Sequence, residues 1–62
     1  MSRNRYVKTY ILIYEDADGE EDVHEVYAST QAQAEYYAQE FCEERGARVL
    51  AIEWAMNRHQ VV

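Results

Sequence analysis

The chain has 62 residues, enough for one small domain, and its twelve acids against six lysines and arginines give a formal charge of −6. One cysteine cannot form an internal disulfide, and with two histidines it supplies too few ligands for a zinc site. No apolar run approaches the roughly 20 residues of a membrane span. These totals predict one cytoplasmic domain over residues 1–62, with an ordered core at about 6–57, and they indicate no resident metal or cofactor.

The first predicted element is a strand over residues 6–15, because this segment is rich in β-branched and aromatic side chains. Residues 16–19 read Asp-Ala-Asp-Gly, and an Asp-Gly pair tolerates the positive φ of a tight turn. The chain is therefore expected to reverse and to return as a second strand over residues 23–28.

A helix is predicted after the second strand. Thr30 and Gln33 fit a capping box, in which the hydroxyl accepts from free backbone amides and the glutamine reaches back; Ser29 is the competing cap. Gly46 favours a left-handed helix end. Spacing by three or four positions predicts the buried helix face: Ala34, Tyr37, Ala38, Phe41 and Cys42.

A third strand is predicted over residues 49–56, which gives the element order ββαβ. The helix returns the chain so that this strand runs antiparallel beside the first, in the spatial order 2-1-3. That order places the most apolar strand in the middle, as burial favours. The predicted class is therefore α+β: a three-stranded antiparallel sheet with one helix packed on one face.

Strand alternation divides the sheet residues into two sets, and each set must be assigned to a face. We expect one set to meet the helix: Ile11, Ile13, Val26, Ala28, Leu50, Ile52 and Trp54. The other set then lies on an open, aromatic-rich face: Tyr6, Tyr10, Leu12, Tyr14, Val23, Tyr27, Val49 and Ala51. Such a face favours a homodimer that pairs through Tyr10, Tyr14 and Tyr27. Alternatively, two copies pair through the edge of the third strand and form one continuous sheet.

The acids are segregated, since eleven of the twelve lie between Thr9 and Glu44, where there is no lysine or arginine. The predicted fold places the hairpin acids beside the helix C-terminus, and it places Arg3, Arg5, Lys8 and Arg58 at the opposite end. Both placements oppose the helix dipole. We take the acids as candidate partner-binding residues: Asp16, Asp18, Glu20, Glu21, Asp22, Glu35, Glu40, Glu43 and Glu44.

The turn also resembles a calcium loop in part, because Asp16, Asp18, Gly19 and Glu25 fit the spacing of that motif. The first ligand position is occupied by Tyr14, however, and strands flank the segment where the motif has helices. We therefore predict no metal site.

Catalysis and nucleic-acid binding are disfavoured on other grounds. Cys42 lies on the predicted buried helix face, and His24 and His59 lie on a strand and in the C-terminal tail, so no Cys–His pair is indicated. Tyrosines on an open sheet suit stacking on single-stranded RNA, but phosphate contacts need cations that this acidic chain lacks. We expect a protein that is not an enzyme and does not bind nucleic acid directly or associate with a membrane.

A set of features at and after the two-strand hairpin suggests a family: Tyr27-Ala28, Thr30, Ala34, Ala38 and the spacing Gly46-x-x-Val49-x-x-Ile52. In these features, and in length and element order, the chain resembles the small T7-type phage proteins that inhibit bacterial RNA polymerase. The resemblance implies a non-catalytic inhibitor that presents acids, here Glu35, Glu40, Glu43 and Glu44, to a nucleic-acid-handling machine. The family's two last-strand arginines are replaced by Ala51 and Glu53, so the polymerase contact does not carry over.

The leading hypothesis is an acidic, phage-type protein that binds and inhibits a host macromolecular machine through a basic surface. If it is phage-encoded, it acts in the cytoplasm of the infected bacterium. The alternative is a self-associating structural or accessory protein.

Overall fold

The structure is a computed structural model and describes residues 7–55. Its elements are β1 (Lys8–Glu15), β2 (Glu21–Ala28), α1 (Gln31–Arg45) and β3 (Arg48–Trp54). Both neighbours of β1 pair with it antiparallel, in the order β2-β1-β3, which confirms the predicted ββαβ fold. The predicted strand ends at residues 6 and 56, and the predicted core limits at 6 and 57, lie outside the described residues.

The hairpin turn between β1 and β2 depends on Asp16. Its backbone N–H donates to the Glu20 carbonyl at 2.8 Å, and its carboxylate accepts from the backbone amides of Asp18 and Glu20, each at 2.9 Å. Gly19 supplies the positive φ of 87° that the turn requires. One acid of the predicted partner-binding set therefore has a structural role.

The predicted helix caps are both present. The Thr30 hydroxyl accepts from the Gln33 backbone amide at 3.1 Å, and the Gln33 side chain accepts from the Ser29 amide at 3.0 Å. Thr30 is therefore the N-cap, and Ser29 contributes the amide that Gln33 reaches back to. Gly46 ends the helix in the left-handed conformation at φ 67°, and the Ala47 amide donates to the Cys42 carbonyl at 2.8 Å.

The core lies between the sheet and α1. Its buried side chains are Tyr10, Leu12, Val26, Ala28, Ala34, Ala38 and Cys42. Three of the five residues predicted for the buried helix face are in this list, and Phe41 packs against it half-buried. The prediction is wrong for Tyr37, whose side chain is 42% exposed.

The predicted faces of the central strand are reversed. Tyr10, Leu12 and Tyr14 contact the core under α1, whereas Ile11 and Ile13 lie on the open face. The helix presents only alanines and a cysteine at its centre, so large side chains from β1 fill the space beneath it.

The outer strands follow the prediction more closely. Val26, Ala28, Ile52 and Trp54 belong to the helix-facing layer, as expected. On β3 the pairing with β1 shifts between Ile13 and Tyr14, so Ile13 pairs with Ala51 and Tyr14 with Val49. This irregularity brings Val49, rather than the predicted Leu50, against the core, and Leu50 is 40% exposed.

Candidate protein-binding surfaces

The hairpin turn and the C-terminus of α1 meet at one end of the fold. A β-carbon placed on Gly46 would lie only 3.9 Å from the β-carbon of Ala17. Glu43 and Glu44, in the last turn of α1, therefore share this end with the acids of residues 16–22. We call the exposed acids here the acidic end: Asp18, Glu20, Glu21, Asp22, Glu43 and Glu44.

The acids of the hairpin differ in the hydrogen bonds that their carboxylates accept. Asp16 maintains the turn, and the Asp22 carboxylate accepts from the Val23 amide at 2.8 Å. Asp18, Glu20 and Glu21 are exposed around them. The latter three are the hairpin acids whose replacement disturbs the described hydrogen bonds least.

The four helix acids are not one surface. Glu35 lies nine positions before Glu44, about 14 Å away along a helix that rises 1.5 Å per residue. Its carboxylate accepts from the Gln31 side chain at 3.4 Å, in the first turns of α1. Glu40 lies between them and accepts a hydrogen bond from Tyr36, which raises the pKa of that phenol. The predicted nine-acid set therefore divides, and Glu35 is separate from the acidic end.

The described residues include only three cations, and each has a partner. The Arg48 Nε donates to Glu15 at 2.8 Å, and the Lys8 Nζ lies 5.0 Å from the centre of the Trp54 ring. Arg45 lies 3.5 Å from Glu44 and donates to the Phe41 carbonyl at 3.1 Å. Arg3, Arg5 and Arg58, expected at the opposite end, lie outside the described residues.

An aromatic stack at the β2 edge was missed by the sequence reasoning. The His24 ring lies over the Phe41 ring at 4.0 Å and 18°, and the Arg45 guanidinium lies 3.8 Å from the same ring centre. Tyr14 meets Phe41 edge-on at 5.2 Å. Strand alternation could have indicated this contact, because His24 lies two residues before Val26 and therefore on the same face of β2, the face toward α1. This stack, with the hydrogen bond to the Phe41 carbonyl, holds the Arg45 guanidinium against the surface of α1.

The candidate dimer residues do not share a face. Tyr10 is 3% exposed and Tyr14 packs against Phe41, so both lie beneath α1. Tyr27 alone is on the open face, where its hydroxyl donates to the Glu25 carboxylate at 2.5 Å. That hydrogen bond to an anion raises the pKa of the Tyr27 phenol. An aromatic dimer surface built from these three tyrosines is therefore wrong.

The remaining reactive groups do not assemble into a described site. Cys42 is 2% exposed, and burial raises the pKa of its thiol while nearby Arg45 lowers it in part. His24 stacks on Phe41, and His59 lies outside the described residues. Within residues 7–55, no group of three or more His, Cys, Asp or Glu side chains is placed to hold a metal ion.

No protein family, curated protein or solved structure matches the chain. In residues 7–55, no helix is both long enough and apolar enough to cross a membrane.

Proposed function

We propose that this protein is a small, non-catalytic inhibitor of the phage type, which binds a basic surface on a host macromolecular machine. A transcription complex or another nucleic-acid-handling assembly has such a surface. The protein competes there with nucleic acid or with another acidic segment. It acts in the cytoplasm, that of an infected bacterium if it is phage-encoded.

The observation that supports the proposal is the acidic end. Two chain segments more than 20 positions apart contribute exposed carboxylates to this one end of the fold. At 0.1 M salt the screening length is about 10 Å, so neighbouring carboxylates act jointly on a cationic partner. Summed fields of this kind speed association with an oppositely charged surface. Arg45 offsets one of these charges, because it lies 3.5 Å from Glu44, whereas Arg48 pairs with Glu15, which is not part of the acidic end.

Glu43 and Glu35 provide a matched test of this surface. Both are exposed glutamates on α1, so each substitution to lysine changes the charge equally, but only Glu43 belongs to the acidic end. Glu43→Lys places a cation at the helix C-terminus, where the dipole favours it by about 0.3–1 kcal/mol. This variant is therefore expected to gain stability while it loses partner binding.

The experiment uses four immobilised baits in bacterial lysate, with elution by increasing salt: the wild-type chain, Glu35→Lys, Glu43→Lys, and Glu43→Lys combined with Glu20→Lys. We expect wild type and Glu35→Lys to retain the same proteins, Glu43→Lys to release them at lower salt, and the double variant to release them at lower salt still. The activity of the eluted host complex is then measured with and without added wild-type chain, and a lower activity with the chain shows inhibition. Equal retention by all baits would rule out the acidic end as the binding surface.

A further inference from the structure

The sheet face opposite α1 carries an apolar stripe that no described element covers. Ile11 and Ile13 run along its centre, with Val23 beside Ile13 on β2 and Ala51 beside it on β3. Val23 is 61% exposed. Central strands that are apolar on both faces are typical of sheets buried on both sides. Here β1 has that composition, although α1 packs on one side only.

Carboxylates border this stripe. Glu25 lies opposite Ile11, and Glu21 lies opposite Glu15 at the end nearest the hairpin turn. Arg48 pairs with Glu15 on the other side of β1. The open face is therefore apolar along its centre and anionic at its β2 border, and Glu21 connects it to the acidic end.

We propose that the open face binds a cationic amphipathic helix of a partner protein. Apolar residues of that helix would lie along Ile11, Ile13 and Val23, and its lysines or arginines would reach Glu21 and Glu25. Three strands at about 4.8 Å spacing give a face about 14 Å wide, which suits a helix about 10–12 Å across. The same sheet already accommodates one helix, α1, on its other side.

The charge of the border favours this occupant over a second copy of the chain. Two open faces packed together would bring their glutamates into proximity, which is unfavourable. The strands have eight, eight and seven residues, so at about 3.4 Å per residue and about 4.8 Å between strands the face covers about 400 Å² in projection. A footprint of this size accommodates one helix about 10–12 Å across.

The inference rests on the proposed function in one respect, the positive charge of the partner. It adds an apolar contact at a different surface of this protein.

Val23 and Tyr36 provide matched variants, because they are 61% and 60% exposed and lie on opposite sides of the molecule. Val23→Arg and Tyr36→Arg each add one cation at an exposed position. Circular dichroism of both variants reports whether the fold is retained.

The probe is a synthetic helix of leucine and lysine with one apolar face, compared with a shuffled peptide of the same composition. We expect the amphipathic peptide to bind wild type and Tyr36→Arg alike, and to bind Val23→Arg about tenfold more weakly. The shuffled peptide should bind wild type about tenfold more weakly as well, since charge alone remains. In NMR spectra of wild type, the shifted amides should include Ile11, Ile13 and Val23.

Four results would overturn the inference. One is equal binding of both peptides, with shifts confined to the acidic end. Another is unchanged peptide binding by a folded Val23→Arg. The third is a wild-type dimer in sedimentation that Val23→Arg converts to a monomer, which would make a second copy the occupant. A lysate partner that is lost with Glu43→Lys but kept by Val23→Arg would also overturn it, while leaving the proposed function intact.

Discussion

Two adjacent residues of the central strand, Leu12 and Ile13, are expected to differ sharply in their contribution to stability. Leu12 is fully buried under α1 at 0% exposure, whereas Ile13 is half-buried on the open face. Substituting each by alanine removes a similar volume of aliphatic side chain. The sequence predicted that Ile13 faces the helix and Leu12 faces away, so the pair of variants distinguishes the two arrangements.

Leu12→Ala should cost about 2–5 kcal/mol, because the helix and both outer strands enclose the cavity that it leaves. Ile13→Ala should cost about 1 kcal/mol, since full burial of such a side chain contributes about 1.5–3 kcal/mol and this one is partly in water. A domain of 62 residues has a free energy of unfolding of about 3–9 kcal/mol. Leu12→Ala therefore removes a large part of the total stability, and Ile13→Ala does not.

Urea unfolding followed by the fluorescence of Trp54, the single tryptophan, measures both variants against wild type. The midpoint of Leu12→Ala should fall far below that of Ile13→Ala. Equal losses, or a larger loss for Ile13→Ala, would contradict the assignment of the faces.

Two further predictions concern titratable groups. Tyr27 should ionise above the usual tyrosine range, and Glu25→Gln should lower its pKa; the resulting stabilisation is present below the unfolded pKa of about 10 and is lost as pH rises through the raised folded value. The difference in tyrosinate absorbance between wild type and Glu25→Gln across an alkaline titration distinguishes Tyr27 from the other five tyrosines, and identical titrations would contradict the prediction. Cys42 should react with a thiol reagent only as fast as the domain opens, because it is buried. Rapid labelling under native conditions would refute that burial.

Local chemistry made most of the fold predictable. The Asp-Gly turn, the Thr30 cap and Gly46 each act within a few residues, so sequence alone located the ends of the elements closely. The strand order followed from the direction of the chain and from burial of the most apolar strand. These features depend on few distant contacts.

The faces of β1 were not predictable in the same way. Alternation separates Tyr10 and Leu12 from Ile11 and Ile13, but both sets are apolar, so the pattern has no polar side to orient it. The choice depends on how the alanines of α1 fit against the sheet, which is a packing property of the whole domain. The same limit applies to the candidate dimer surface, which was derived from the reversed assignment.

The placement of the acids lowers stability in three ways. Glu43 and Glu44 lie at the negative end of the helix dipole, and the first turn of α1 has no acid to balance them. Glu40 and Glu44 repel each other at a spacing of four. Glu21 lies directly opposite Glu15 across the hairpin.

Each of these arrangements costs a few tenths of a kcal/mol to about 1 kcal/mol, in a domain where seven of the described residues form the buried core. Folding alone would favour the opposite charges at these positions. This cost to folding supports the proposal that the acids serve an interaction outside the domain, under which Glu43→Lys should stabilise the fold and weaken binding together. A substitution that changed stability and binding in the same direction would indicate that Glu43 serves the fold rather than a partner.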